Sequence, residues 1–152
     1  MGGCGFLLSQ RWCTWRAACA GVLRQTGSVR KQYHFWPDEG GTDAWDVDRL
    51  IRLAADLPTE EVALDDLPEI DSEYWFDELE RPTVRKVIEH FRRVNEVDPS
   101  YPVILGPGNR VMDGMHRVAR ALLEGRTTIN ARRFRDLPEP DYRGCRPSEL
   151  PY

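Results

Sequence analysis

The run Val103 to Arg120, VILGPGNRVMDGMHRVAR, constrains this chain more than any other stretch. Tyr101 to Leu105 (YPVIL) is apolar enough for a buried strand. Gly106-Pro107-Gly108-Asn109 is a strong hairpin-turn signal, and Arg110-Val111-Met112 can return as a second strand. Asp113-Gly114 then opens a helix. From Met115 onward Val118, Ala119, Leu122 and Leu123 recur on one face, and Gly125 supplies a stop after Glu124.

A helix start in this position suits an anion. Its first backbone N–H groups lack intrahelical acceptors and sit at the positive end of the helix dipole. Gly114 allows close approach, Asp113 can cap the helix through its carboxylate, and His116 and Arg117 add side-chain donors on the first turn, the guanidinium binding a phosphate bidentately. Met115 lies between them. The same residues also admit a purely structural reading, because Asp-Gly commonly opens a helix after a hairpin and a first-turn Arg can simply pair with a carboxylate.

The surrounding segments read as a small α/β (α+β) domain, a mixed sheet with helices. Gln32 to Gly41 is aromatic and turn-rich and suits an ordered loop or short edge segment. Trp45 to Leu57 (WDVDRLIRLAADL) spaces Val47, Leu50, Ile51, Ala54 and Leu57 as one helical face, with Asp43 as N-cap and Pro58 as stop. Glu60 to Leu67 reads as a strand running into an acidic, aromatic loop, Pro68 to Asp77. A second helix opens at Pro82, buries Val84, Val87, Ile88, Phe91 and Val94, exposes Arg85, Lys86, Glu89, Arg92 and Arg93, and ends near Asn95. Thr127 to Phe134 forms a final strand, and the Pro-rich segment 136–152 is irregular.

Composition bounds the function classes. Hydrophobic residues make up 41% and charged residues 30%, and no run approaches the roughly 18 apolar residues of a membrane span, so no membrane partner is expected. One domain over 32–135 is the natural division, followed by the tail. Residues 1–31 are a head with five basic residues, no acidic one, and three of the four cysteines (Cys4, Cys13, Cys19). The remaining 16 basic and 25 acidic residues balance to −9, which disfavours a broad nucleic-acid surface, although FRR at Phe91 to Arg93 and ARRF at Ala131 to Phe134 leave local basic patches open. With only Cys145 outside the head there is no disulfide framework, and the body reads as cytoplasmic. Cys13 and Cys19 lack CxxC spacing and His34, His90 and His116 are scattered, so no structural zinc site is expected. The head has three readings: an Arg-bearing presequence, a secretory signal interrupted by Arg11, or a start annotated too far upstream of a bacterial GTG codon at Val29. The last is favoured.

From Glu60 to Phe134, the order strand, acidic loop, helix, YPVIL-turn-strand, DGMHRVARALLEG and terminal strand resembles the ParB N-terminal domain and sulfiredoxin superfamily. The helix-opening signature there is GERR-like in partition proteins, GCHR-like in sulfiredoxins and DGHHR-like in free-serine kinases. Asp113-Gly114-Met115-His116-Arg117 is most similar to the last. The resemblance implies that this turn holds nucleotide phosphates, with Gly114, His116 and Arg117 carrying over and Met115 replacing a polar residue. Two activities of the superfamily are not expected. The stretch after the last strand is too short for a helix-turn-helix DNA reader, and Met115 stands where a sulfiredoxin needs its cysteine.

The ligand expected is therefore a nucleotide (ATP, ADP or CTP, with Mg²⁺) or another phosphorylated small molecule. Phosphoryl transfer or hydrolysis would require a carboxylate to orient or deprotonate the acceptor, and a metal ion bridging phosphates. Glu69, Asp71 and Glu73 are the candidates, with Asp77 nearby and Tyr74, Trp75 and Phe76 able to stack a base; alternatively, these acids form a solvated surface over buried aromatics. A nucleotide-switched binding or DNA-associated module is the alternative to an enzyme. A nuclease is weaker, since it needs metal-binding carboxylates beside a basic groove.

Overall fold

The computed structural model describes residues 31–38, 41–76 and 80–151; the head readings and Asp77 lie outside them. Among the described residues the fold is a small α+β arrangement of two sheets and three helices. A four-stranded mixed sheet carries β3 (Thr59–Ala63), β6 (Thr128–Arg133), β4 (Val103–Leu105) and β5 (Val111–Asp113) in that spatial order. β6 runs antiparallel to β3 and parallel to β4, while β5 returns antiparallel to β4. The β4–β5 turn is tight because Gly108 and Asn109 both take positive φ, 68° and 61°.

Strand alternation divides the interior in two. Val103 and Leu105 of β4 and Val111 of β5 face one core, where α3 (Met115–Leu123) lays Met115, Val118 and Ala121 against Val62, Ile129 and Ala131. Ile104 and Met112 point the other way and pack with Trp45, Leu50, Ala54 and Phe134. Burial on both faces is why VIL is uninterruptedly apolar rather than alternating.

The second core is roofed by elements that partly differ from expectation. Of the two readings of this segment, ordered loop or short edge segment, the second holds for Tyr33–Asp38, which is strand β1, paired antiparallel with β2 (Gly41–Asp46) with His34 opposite Trp45. Since β2 runs on to Asp46, helix α1 (Val47–Ala54) starts later than predicted. Its N-cap is Asp46, whose carboxylate accepts from the N–H groups of Asp48 and Arg49, and not Asp43, which accepts from Gly144 N–H instead. Ile51 is exposed rather than buried, because α1 touches the sheet along the narrower stripe of Val47, Leu50 and Ala54.

Helix α2 (Val84–Glu96) is capped by Thr83, with Pro82 just outside. Its periodicity is helical as expected, but the buried side is not the predicted one. Val94 is buried and Val87 half-buried, whereas Val84, Ile88 and Phe91 are exposed, Val84 by 82%. The helix rests on α3 along one edge of its apolar stripe only.

The tail is irregular yet anchored. Tyr142 bridges to Ala44, Trp45 Nε1 donates to Pro138 O at 2.7 Å, Cys145 N–H donates to Thr42 O, and Leu150 is buried. Among the described residues no helix is long and apolar enough to cross a membrane.

Candidate functional site

The local chemistry of DGMHR builds one wall of a cleft of about 1010 Å³. Gly114 adopts φ 103°, a left-handed conformation that disfavours side chains, and a Cβ there would lie 2.9 Å from Val103 Cγ1 and 2.6 Å from Arg117 Nη2. That turn lets β5 pass directly into α3. It also corrects the expected capping role of Asp113. Gly114 itself holds the cap position, no side chain caps the helix, and the Asp113 carboxylate reaches over to Arg117 Nη2 at 2.7 Å. The first-turn Arg thus pairs with its neighbouring carboxylate, as the structural reading allowed, while its Nε is buried without a hydrogen-bond partner among the described residues.

His116 joins a cluster that the sequence did not reveal. Its Nε2 lies 3.0 Å from Nδ1 of His90 on α2. The two imidazoles are nearly coplanar, 14° apart with centroids separated by 5.2 Å, and both stack on Trp75, at 4.6 Å for His90 and 4.9 Å for His116. These three separations put both rings on the same face of the indole. Phe76 closes against His90 edge-on at 5.3 Å. Burial, reinforced by the nearby His90 and Arg93, lowers the His116 pKa to about 4, so the ring is neutral at pH 7; burial and Arg93 lower His90 as well.

The acidic loop and the hairpin supply more of the cleft lining. Glu69 and Glu73 line the cleft together with Asp113 to Arg117, so the topology unites two of the three candidate carboxylates with the helix start. Asp71 is exposed and does not line it. Glu69 is buried rather than solvated: it accepts from Val111 N–H at 3.2 Å and from Arg110 Nε at 3.1 Å, and the Arg110 guanidinium sits 4.3 Å above the Trp36 ring. It latches the loop to β5. Glu73 is exposed, which makes it the accessible carboxylate of the predicted three on the cleft surface.

Two further groups face the same space. His34 of β1 lines the cleft with Nε2 buried and unpartnered among the described residues; burial and then Arg110 lower its pKa to about 4. Desolvation of the Tyr74 hydroxyl, with the Glu69 and Asp113 carboxylates, raises its pKa to about 12, although 39% of the residue is exposed. Thus His34 and His116, far apart in sequence, both line the cleft, and His90 adjoins it through His116. Of the basic patches, Arg93 lines the cleft, but Arg133 is paired with Glu60 and Arg132 donates to Ala54 O. Among the described residues no three His, Cys, Asp or Glu side chains form a metal-holding group.

Only a hydrogen-bonded neighbour could have singled out His90, and its partner lies 26 residues away on another helix. Comparison with family models, characterised proteins and solved structures yields no match to this chain.

Proposed function

We propose that the cleft binds a nucleotide, with a phosphate at the start of α3 between Gly114, His116 and Arg117. The observation that carries this reading is a helix N-terminus opening into the cleft with no side-chain cap, flanked by a neutral imidazole and by a guanidinium with an unpartnered Nε. An anion there meets main-chain N–H groups of an adequately long helix and charge-assisted side-chain donors. The resemblance to the ParB and sulfiredoxin superfamily points the same way. Exposed Tyr74 offers a ring for a base, and Lys31, Arg93 and Arg110 offset the cleft's carboxylates. Mg²⁺ would arrive with the nucleotide, held chiefly by phosphate oxygens.

If phosphoryl transfer takes place, Glu73 is the carboxylate suited to orient the acceptor, since Glu69 is engaged and Asp71 lies outside the cleft. That same shortage of free carboxylates favours, as a second reading, a module that binds nucleotide without turning it over. A thermal-shift panel of ATP, ADP and CTP, with and without Mg²⁺, on wild type and Arg117→Ala tests the binding. A ligand at about 100 times its Kd stabilises by about 2.7 kcal/mol, and the variant should lose that shift. Phosphate release assays on the same samples separate the two readings.

A further inference from the structure

His90 has no place on the cleft wall. It sits behind His116, lining an apolar groove of about 460 Å³ with Val87, Phe91, Val94 and Leu122. Yet it is the hydrogen-bond partner of His116 among the described residues, and the Trp75 face holds both rings in one plane. The bond takes up Nε2 of His116. The nitrogen left for the cleft is Nδ1, which has no partner among the described residues.

We propose that His90 is a positioning residue for the phosphate site: it donates its Nδ1–H to His116 Nε2 and so fixes the His116 tautomer that presents Nδ1–H to an anionic oxygen. This rests on the phosphate reading given above. Proton counting supplies the argument. Two neutral imidazoles carry two N–H protons on four nitrogens, and a single proton occupies the bond between them. If an oxyanion accepts from His116 Nδ1, that ring's Nε2 is bare and must itself accept, so the bridging proton belongs to His90 Nδ1 and His90 Nε2 is bare.

The opposite tautomer turns a lone pair toward the phosphate and repels it. The charged groups around the pair are Glu80, Glu89 and Arg93 at His90, with Arg93, Asp113 and Arg117 at His116. They flank the rings without replacing the bond between them. His90 therefore acts on the ligand through His116, as an outer partner sets the tautomer of a histidine that contacts a ligand directly.

The test is made on the full chain with ¹⁵N-labelled histidine at pH 7. Long-range ¹H–¹⁵N correlation reports the protonated nitrogen of each ring during titration with inorganic phosphate and then with Mg²⁺-ATP. Wild type with ligand should show His116 protonated at Nδ1 and bare at Nε2, and His90 protonated at Nδ1. His90→Asn keeps an N–H donor near the Nδ1 position and should hold the Kd within about threefold. His90→Leu removes the donor and should weaken binding at least about tenfold, the scale of one hydrogen bond to a charged group, with His116 in mixed tautomers. A bound ligand with His116 protonated at Nε2 overturns the proposal, as does a folded His90→Leu that binds like wild type. Should His90→Leu not fold, the wild-type tautomers and His90→Asn still decide. Failure of wild type to bind phosphate or any nucleotide removes the phosphate reading and this inference together, and is seen before a variant is made.

Discussion

Asp113 and Arg117 form a 2.7 Å ion pair across the left-handed Gly114, about one-fifth of each side chain being exposed. The pair occupies the carboxylate that would otherwise compete with an anion for the N–H groups of α3. It also holds the guanidinium against Gly114 at the start of α3, with its Nε buried and unpartnered among the described residues. Removing either partner has opposite consequences. Arg117→Ala should abolish nucleotide-induced stabilisation, and Asp113→Asn should retain or strengthen it by freeing the guanidinium. Each should lower the stability of the ligand-free protein by about 1–3 kcal/mol, because the pair is four-fifths buried and the remaining partner loses its hydrogen bond. Thermal shifts with and without ATP check both.

Gly114→Ala is expected to be the most damaging single-methyl change in the hairpin–helix unit. The positive φ and the approach to Val103 Cγ1 must both be relieved, and strained backbone of this kind costs about 1–3 kcal/mol. Urea denaturation should show the lower midpoint. Gly108→Ala, with a positive φ but open space around the Cβ, should cost less.

Glu69 and Glu73 should separate structure from chemistry. Glu69→Ala leaves Arg110 unpaired and the buried Val111 N–H without its acceptor, a loss of about 1–3 kcal/mol. Glu73→Gln should leave the urea midpoint unchanged. If nucleotide turnover is found, it is the Glu73 change that should abolish it, measured as phosphate release under saturating nucleotide.

Acid should unfold the protein through its histidines before most carboxylates titrate. The folded pKa values of His34 and His116 are lowered to about 4 from 6.5, and that of His90 is lowered too. Below 6.5 the unfolded chain binds protons that the folded chain refuses, so stability is full above about pH 6.5 and falls as pH drops toward 4. His34, the more deeply buried ring, forfeits up to about 1.4 kcal/mol per pH unit in the steep part of that window, and the half-buried His116 less. Urea midpoints between pH 7 and 4 should trace the fall, and His34→Phe should flatten it. A midpoint constant over that range would contradict the burial of these rings.

What the sequence determined by itself is local. YPVIL, GPGN and DG specify strand, turn and helix start through side-chain apolarity and permitted φ values, and those forces act within a few residues. The proposal of an anion at Gly114, His116 and Arg117 starts from the same local signals. Periodicity likewise announces α2 but leaves its buried side open, because which edge meets α3 depends on the angle at which the helices pack. The N-cap moves from Asp43 to Asp46 once β1 claims β2 as a partner. Only the tertiary structure buries Glu69 against Arg110, leaves Asp71 outside the cleft and brings His90 to His116 over Trp75. Those contacts join segments dozens of residues apart, and no local propensity encodes them. They follow from desolvation, which places polar side chains beside whatever partner the packed core leaves within reach.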